Sequence, residues 1–288
     1  MLGWAREFGK AGEPVAIVTG SSSGLGLWTC VCLAADGYRV VATMRNPDAS
    51  GELLREAERA GVAGRIAVRR LDVTEPESIR AAVEAVLGDG GRIDLLVNNA
   101  GYAAGGFIEE VPPEAWREQM ETNFIGTVAV TQAVLPAMRR QGSGTIANVG
   151  SISGRIGFPG FGPYASSKFA IEGFSECLRH EMAPFGVRVV LLEPSSYRTP
   201  IWRKGWERMY SRPGSAYEQA LQSVLRYTQR TAENAPDARD AALAIVRALR
   251  VRSSRLRYPI GRGARLTLIG KALLPWRLME RLIASTLR

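Results

Sequence analysis

The sequence predicts an α/β fold: one doubly wound parallel sheet with helices on both faces. Three observations carry that prediction. Short apolar runs alternate with longer helical stretches from residue 14 to about residue 194. Several runs, "PVAIVTG" among them, lack period-two alternation, as strands covered on both faces do. A glycine-rich turn follows the first run directly, at the junction where an open parallel sheet forms its ligand crevice.

Each element follows from its residues. "PVAIVTG" (14–20) is β-branched and ends in Gly, which reads as a buried strand. "LGLWTCVCLAADG" reads as a helix closed by Gly37. "YRVVATMR" is the second strand, "SGELLREAERAG" the second helix and "RIAVRRLDVT" the third strand. "EPESIRAAVEAVLGDGG" has acids in its first turn, where they complement the helix dipole, and glycines at its end. "IDLLVNNAG" is the fourth strand, and one long helix runs through "WREQMETNFIGTVAVTQAVLPAMRRQ". "GTIANVGSISG" is a strand and turn, "YASSKFAIEGFSECLRHEMAPFG" a helix and "VRVVLLEPSS" a strand.

No internal repeat or low-complexity linker divides the chain. Residues 1–288 therefore read as a single domain, with a core at about 14–258. After Pro194 the alternation breaks. Residues 195–235 read as polar, aromatic and irregular, with Tyr197, Trp202, Trp206, Tyr210 and Tyr217. An insertion at this sheet edge suits a substrate lid; the alternative is a surface excursion whose aromatics pack on the core. "ARDAALAIVRALR" resumes a helix, and "RYPIG" is a last strand or loop.

Composition excludes several functions. The chain is 46% apolar and 23% charged over 288 residues, enough for a substantial globular core. It has no 20-residue apolar run to span a bilayer. "MLGWAREFGK" lacks the long apolar stretch of a secretory signal, so the expected location is the cytoplasm. Cys30 and Cys32 lie in an apolar helix and read as buried hydrophobes in a reducing compartment; Cys177 makes the set odd. The single histidine, His180, sits near a helix end. It offers little to a histidine metal site or a Ser-His-Asp triad. The net charge of +9 is local: residues 247–288 hold 11 of the 37 basic residues and one of the 28 acids, leaving 26 and 27 elsewhere. A nearly neutral core argues against nucleic acid as partner.

The chemistry lies at the strand ends. "TGSSSGLG", Thr19 to Gly26, opens the first helix, and Gly20, Gly24 and Gly26 let backbone approach a pyrophosphate there. "LVNNAG", Leu96 to Gly101, ends the fourth strand; its asparagines either hold the turn or line a cofactor cleft. "NVGSISG" ends the fifth strand with Ser151, thirteen residues before Tyr164. In a parallel sheet Gly20, Asn99, Ser151, Tyr164 and Pro194 should converge on one crevice.

"TGSSSGLG", "NNAG", Asn123 in "TNFIG", Ser151 and "YASSK" together resemble the short-chain dehydrogenase/reductase family, in its shorter, single-domain branch. The resemblance covers roughly residues 14 to 200 and implies a Rossmann fold. It implies that Tyr164 is the catalytic acid/base, that Lys168 favours its phenolate and holds the nicotinamide ribose, and that Ser151 hydrogen-bonds the substrate oxygen. Asn123 would hold a water linking Lys168 to solvent. The glycine turn with Ser22, Ser23 and Leu25 would cradle the pyrophosphate. Asp72 and Val73 would meet adenine, Ala100 and Gly101 would line the cleft beside Asn99, and Pro194 and Thr199 would lie near the nicotinamide amide. Hydride would pass between nicotinamide and a carbinol or carbonyl carbon while Tyr164 moves the proton.

NAD enzymes of this fold usually carry an acid at the end of the second strand. Here Thr43 and Met44 occupy that place and Arg45 follows, which suits a 2′-phosphate. NADP(H) is the expected cofactor, with NAD the weaker fit. Ser195 stands where the family has Gly, and a loop needing φ > 0 would strain there. Ile156, Phe158 and Phe161, with the aromatics of 195–217, point to a bulky apolar alcohol or ketone; within the family the nearest likeness is the 17-beta-hydroxysteroid and retinol dehydrogenase neighbourhood. The rivals are an epimerase or dehydratase of the same superfamily and a catalytically silent NADP-binding regulator. Family analogy implies a homodimer or homotetramer. The basic tail, 259–288, places Leu278, Met279, Leu282 and Ile283 at helical spacing. It would lie on a membrane surface, close over the substrate mouth or pack between subunits.

Overall fold

The computed structural model describes residues 12–251 and 255–285. The expectation for "MLGWAREFGK" lies outside the described residues. The chain begins with β1 (Val15–Val18), α1 (Gly24–Ala35), β2 (Arg39–Met44), α2 (Gly51–Arg59), β3 (Ile66–Arg70), α3 (Pro76–Gly90) and β4 (Leu95–Asn98). It continues through a short β5 (Gly105–Gly106), α4 (Pro113–Met120), α5 (Gly126–Gln141), β6 (Gly144–Val149), α6 (Gly162–Met182) and β7 (Val187–Pro194). Then come α7 (Ile201–Trp206), a short β8 (Met209–Tyr210), α8 (Glu218–Glu233), α9 (Ala238–Arg250), β9 (Arg257–Ile260), α10 (Ala264–Leu273) and α11 (Trp276–Ser285).

The main sheet has seven parallel strands in the order β3-β2-β1-β4-β6-β7-β9. Strand order reverses between β1 and β4, and such a switch point opens a crevice at the C-terminal strand ends. Successive residues of one strand face opposite layers. Ala16 and Val18 of β1 pack in the layer that includes α1 and α9; Val15 and Ile17 pack in the layer that includes α3, α5 and α6. Both sets are buried, so the strand reads as one unbroken apolar run. Cys30 and Cys32 lie buried in the first layer, and burial pushes both thiols up.

Two expectations change. The long helix is not continuous: between α4 and α5 the segment Glu121–Ile125 is a π-turn, and it holds Asn123. Residues 195–235 are not irregular. They form α7, β8 and α8, and β8 pairs with β5. Leu221, Val224 and Thr228, buried along α8, supply the three-and-four spacing that makes it a helix. "RYPIG" resolves as a strand, with Leu191 opposite Arg257 and Pro194 opposite Ile260.

Candidate active site

The glycine turn is held by the end of β4 beside it. Thr19 Oγ1 accepts from the backbone N–H groups of Asn99 (2.9 Å) and Ala100 (3.0 Å). Asn99 Nδ2 donates to the carbonyls of Thr19 (2.9 Å) and Gly20 (3.0 Å). Of the two roles open to Asn99, its side chain takes the structural one. The fit requires glycine: Gly20 has φ 66°, and a Cβ there would lie 2.7 Å from Ala100 Cα. A Cβ on Gly26 would overlap Gly20 O and Asn99 Nδ2. Ser21, which the motif reading passed over, is buried and ties the turn to β2: its N–H (3.0 Å) and Oγ (2.9 Å) both donate to Thr43 O. Ser22, Ser23 and Leu25 are half-buried around the start of α1, whose N-cap, Ser23, makes no side-chain cap hydrogen bond. This is a cradle of backbone N–H groups suited to an anion.

Arg45 is exposed just past β2, while Thr43 and Met44 are buried. Beyond β3, Asp72 Oδ1 accepts from Thr74 N–H (3.0 Å) and Oγ1 (2.8 Å), and Val73 is buried close beneath Gly126. The entry to the 195–235 segment reaches back to the turn: a Cβ on Gly24 would sit 3.3 Å from Thr199 Cβ. Pro194 ends β7, and Ser195 N–H donates to Ile260 O at 2.8 Å. The strain expected at Ser195 is absent, because no described non-glycine residue has positive φ. The close approach falls to Gly261, which sits against Ser195 Oγ and Tyr197 Oη.

Asn123 is almost fully buried in the π-turn. Its Nδ2 donates to Tyr102 O and Ser167 Oγ, both at 3.0 Å, and its Oδ1 accepts from Tyr102 N–H at 3.1 Å. Both side-chain N–H groups are thereby committed to protein, joining the backbone after Gly101 to α6 one residue from Lys168. A water held by Asn123 would rest on its backbone or on the remaining Oδ1 lone pair. Gln119, also missed from sequence, reinforces the same loop through Ala104 N–H (2.7 Å) and Tyr102 O (2.9 Å).

Ser151 caps the turn after β6, with Oγ accepting from Ser153 N–H at 3.0 Å. Its hydroxyl neighbours the Tyr164 phenol. Burial pushes the Tyr164 phenol up, and the neighbouring Ser151 hydroxyl opposes this. Lys168 is 7% exposed, its Nζ donates to Val149 O at 2.7 Å and lies 5.8 Å from the Tyr164 ring centroid. Burial pushes its ammonium down to about 8. Ser151, Tyr164 and Lys168 thus meet where β6 ends and α6 begins.

Behind them lies a charged cluster invisible in the motifs. Glu193 of β7 is fully buried and pairs with Arg155 at 3.0 Å; Glu172, four residues after Lys168, pairs with Arg257 of β9 at 2.8 Å. Burial pushes Glu172 up to about 7, Arg257 and Arg155 oppose that, and the Glu193 charge adds to it.

The 195–235 aromatics divide between the two readings. Tyr197 joins the core. Tyr227 of α8 stacks on Phe158 (5.2 Å between centroids), and Tyr217 stacks on Phe107 (4.6 Å) while donating to Glu109 Oε2 at 2.6 Å. The first stack braces α8 against the segment linking Ser151 to Tyr164, and the Tyr217 contacts tie its start to the segment after β5.

A family model described as short chain dehydrogenase matches residues 14–209. An uncharacterized oxidoreductase of Bacillus subtilis strain 168, YusZ, is 45% identical over 96% of this chain and 99% of its own length. The 17-beta-hydroxysteroid dehydrogenase type 1 of Mus musculus is 34% identical over 85% of this chain and 72% of its own. A short-chain dehydrogenase/reductase of Burkholderia phymatum, solved in complex with NAD, superposes with a TM-score of 0.78 at 25% identity, covering 94% of this chain and 95% of its own. One of Burkholderia cenocepacia J2315, in complex with NADP, gives 0.74 at 28% identity, covering 94% and 97%.

Proposed function

Because the chain belongs to the short-chain dehydrogenase family and is an oxidoreductase of CH–OH and C=O groups, we propose that it interconverts a bulky apolar ketone or aldehyde and its alcohol, with NADP(H) as hydride carrier. The observation that carries the reading is the buried Lys168 Nζ, held by Val149 O and 5.8 Å from the Tyr164 ring centroid, with Ser151 beside that phenol. When bound, the nicotinamide supplies or accepts hydride at its C4.

The chain's own residues do the rest. The Ser151 hydroxyl lies close enough to the Tyr164 phenol to lower it against burial, so both can reach one substrate oxygen. In the reductive direction Tyr164 donates its proton as that oxygen gains charge, and in the oxidative direction it takes the proton back. A phenol raised by burial suits the donor role. The buried Lys168 ammonium is stabilised by negative charge brought near it, whether phenolate or ribose oxygen. Asn123 holds the Tyr102 loop and α6 in register. The turn from Gly20 to Gly26 takes the pyrophosphate, Asp72 and Val73 face adenine, Asn99 to Gly101 line the cleft, and Pro194 and Thr199 border the nicotinamide.

Arg45, exposed just past the place where an NAD enzyme has an acid, supports NADP(H). The Phe158–Tyr227 and Phe107–Tyr217 stacks support an apolar substrate, as does the steroid in the name of the mouse relative. Ile125 and Phe169, each 44% exposed beside α5 and on α6, support a homodimer or homotetramer through those helices.

The test is NADPH oxidation with steroids, retinoids and long-chain or aromatic ketones. Turnover on one of these classes is expected, with a lower KM for NADPH than for NADH. Tyr164→Phe should keep cofactor affinity and lose about 10²–10⁴-fold in kcat. Turnover confined to small hydrophilic sugars, a preference for NADH, or full activity in Tyr164→Phe would each sink its part of the proposal.

A further inference from the structure

The reaction leaves α10 and α11 unused, and α10 is inverted for a helix in water. Ala264 is buried, and Leu268 and Lys271 on the same side are half-buried; Lys271 Nζ lies 5.4 Å over the Phe169 ring of α6. Leu266, Ile269 and Leu273 share the opposite face and are 75%, 53% and 77% exposed. A surface helix ordinarily turns such a stripe onto the core. After Pro275, α11 buries Met279 and presents Leu278 and Leu282. Trp276 is 61% exposed, with its indole N–H donating to Glu280 at 2.7 Å. The charge is one-sided. Residues 261–285 hold Arg262, Arg265, Lys271, Arg277 and Arg281 against Glu280 alone. On α11, Arg277 and Arg281 form the row next to Leu278 and Leu282, and on α10 Arg265 flanks the outward stripe.

We propose that the α10–α11 surface docks on an anionic lipid bilayer. Apolar side chains this exposed protrude from the molecule. A fluid acyl phase accommodates them without a matching groove, while the neighbouring arginines reach lipid phosphates and Trp276 sits at the boundary. A second copy is the poorer occupant. Pairing this face with itself would oppose Arg265, Arg277 and Arg281 to their own copies, with Glu280 on each side as the one carboxylate to offset them.

The experiment sediments the full chain with vesicles of phosphatidylcholine alone or containing phosphatidylglycerol. Binding should be at least about tenfold stronger with phosphatidylglycerol and fall several-fold at high salt. The triple variant Leu266→Ser, Ile269→Ser, Leu273→Ser should lose pelleting with an unchanged melting temperature, since all three side chains are already exposed. Arg265→Glu with Arg277→Glu should lose the lipid preference. Absence of pelleting with phosphatidylglycerol at low salt overturns the proposal, as does equal pelleting of parent and triple variant. A dimer in light scattering that the triple variant dissociates assigns the face to a second copy and overturns it too.

Discussion

At the scale of single residues, the site is assembled at a cost to the fold. Lys168 carries its ammonium into a buried position and has one carbonyl, Val149 O, to receive it. Its folded value near 8 lies below the ordinary 10.5. Between those values the unfolded chain binds the extra proton, so stability rises with pH across that window, and the penalty is complete below about pH 8. Lys168→Met should therefore raise the melting temperature of the cofactor-free protein at pH 7, and the gain should shrink as pH approaches 10. The same change should abolish turnover. Equal melting shifts at pH 7 and pH 10 would show that burial of the charge is not what Lys168 costs. Tyr164 shares this logic in weaker form: its phenol is raised by burial, and the Ser151 hydroxyl is the group that offsets it.

At the scale of elements, four segments meet behind the site: α6, β7, β9 and the turn after β6. They are joined by charge. Glu193 from β7 pairs with Arg155 of the turn, and Arg257 from β9 reaches both Glu172 and Glu176 of α6. Two buried carboxylates share two arginines, and one oxygen of each, Glu172 Oε1 and Glu193 Oε2, lacks a hydrogen-bond partner in the structure. Ionising both is expensive. Glu172, held near 7 against an ordinary 4.5, keeps its proton in the folded chain between those values and loses it in the unfolded one. Stability should therefore fall as pH rises from about 4.5 to about 7. Glu172→Gln keeps an acceptor for Arg257 and removes the titration. Its melting temperature should decline less than the parent's across pH 5 to 8, and exceed the parent's at pH 8. Parallel curves for the two proteins would mean that the carboxylates do not compete for a proton. Because Glu172 lies one turn beyond Lys168 and Arg155 four residues past Ser151, kcat of the parent should change over the same interval.

At the scale of the whole molecule, what was legible in the sequence was what repeats or sits in one short string. Six of the seven strands were readable, those such as β1 because both sheet faces are covered, which leaves a continuous apolar run; β9, an edge strand reading Arg-Tyr-Pro-Ile, stayed open between strand and loop. The glycine turn, "NNAG", Ser151, Tyr164 and Lys168 were readable because each lies at a strand end or one turn into a helix. The π-turn at Asn123 was not, since one extra residue per turn over five positions leaves no trace in an apolar pattern. The Arg155–Glu193 and Arg257–Glu172 pairs were not, being 38 and 85 residues apart. Residues 195–235 looked irregular because α8 buries one narrow row, Leu221, Val224 and Thr228, while its remaining faces are polar. That narrow row has a functional consequence. α8 packs beside the segment linking Ser151 to Tyr164 through that narrow row, and two of its braces are aromatic stacks, Phe158–Tyr227 directly and Phe107–Tyr217 at its start. Tyr227 is 38% exposed, so its removal opens little of the core. Tyr227→Ala should leave the melting temperature within about 2–4 °C of the parent's, the shift of a modest loss of stability in a chain of this size. It should raise KM for apolar ketones severalfold while leaving KM for the cofactor in place, because the glycine turn, Arg45 and Asp72 lie on other elements. A rise in cofactor KM of the same size would mean that α8 orders the nicotinamide crevice as a whole and does not act as a wall for the substrate.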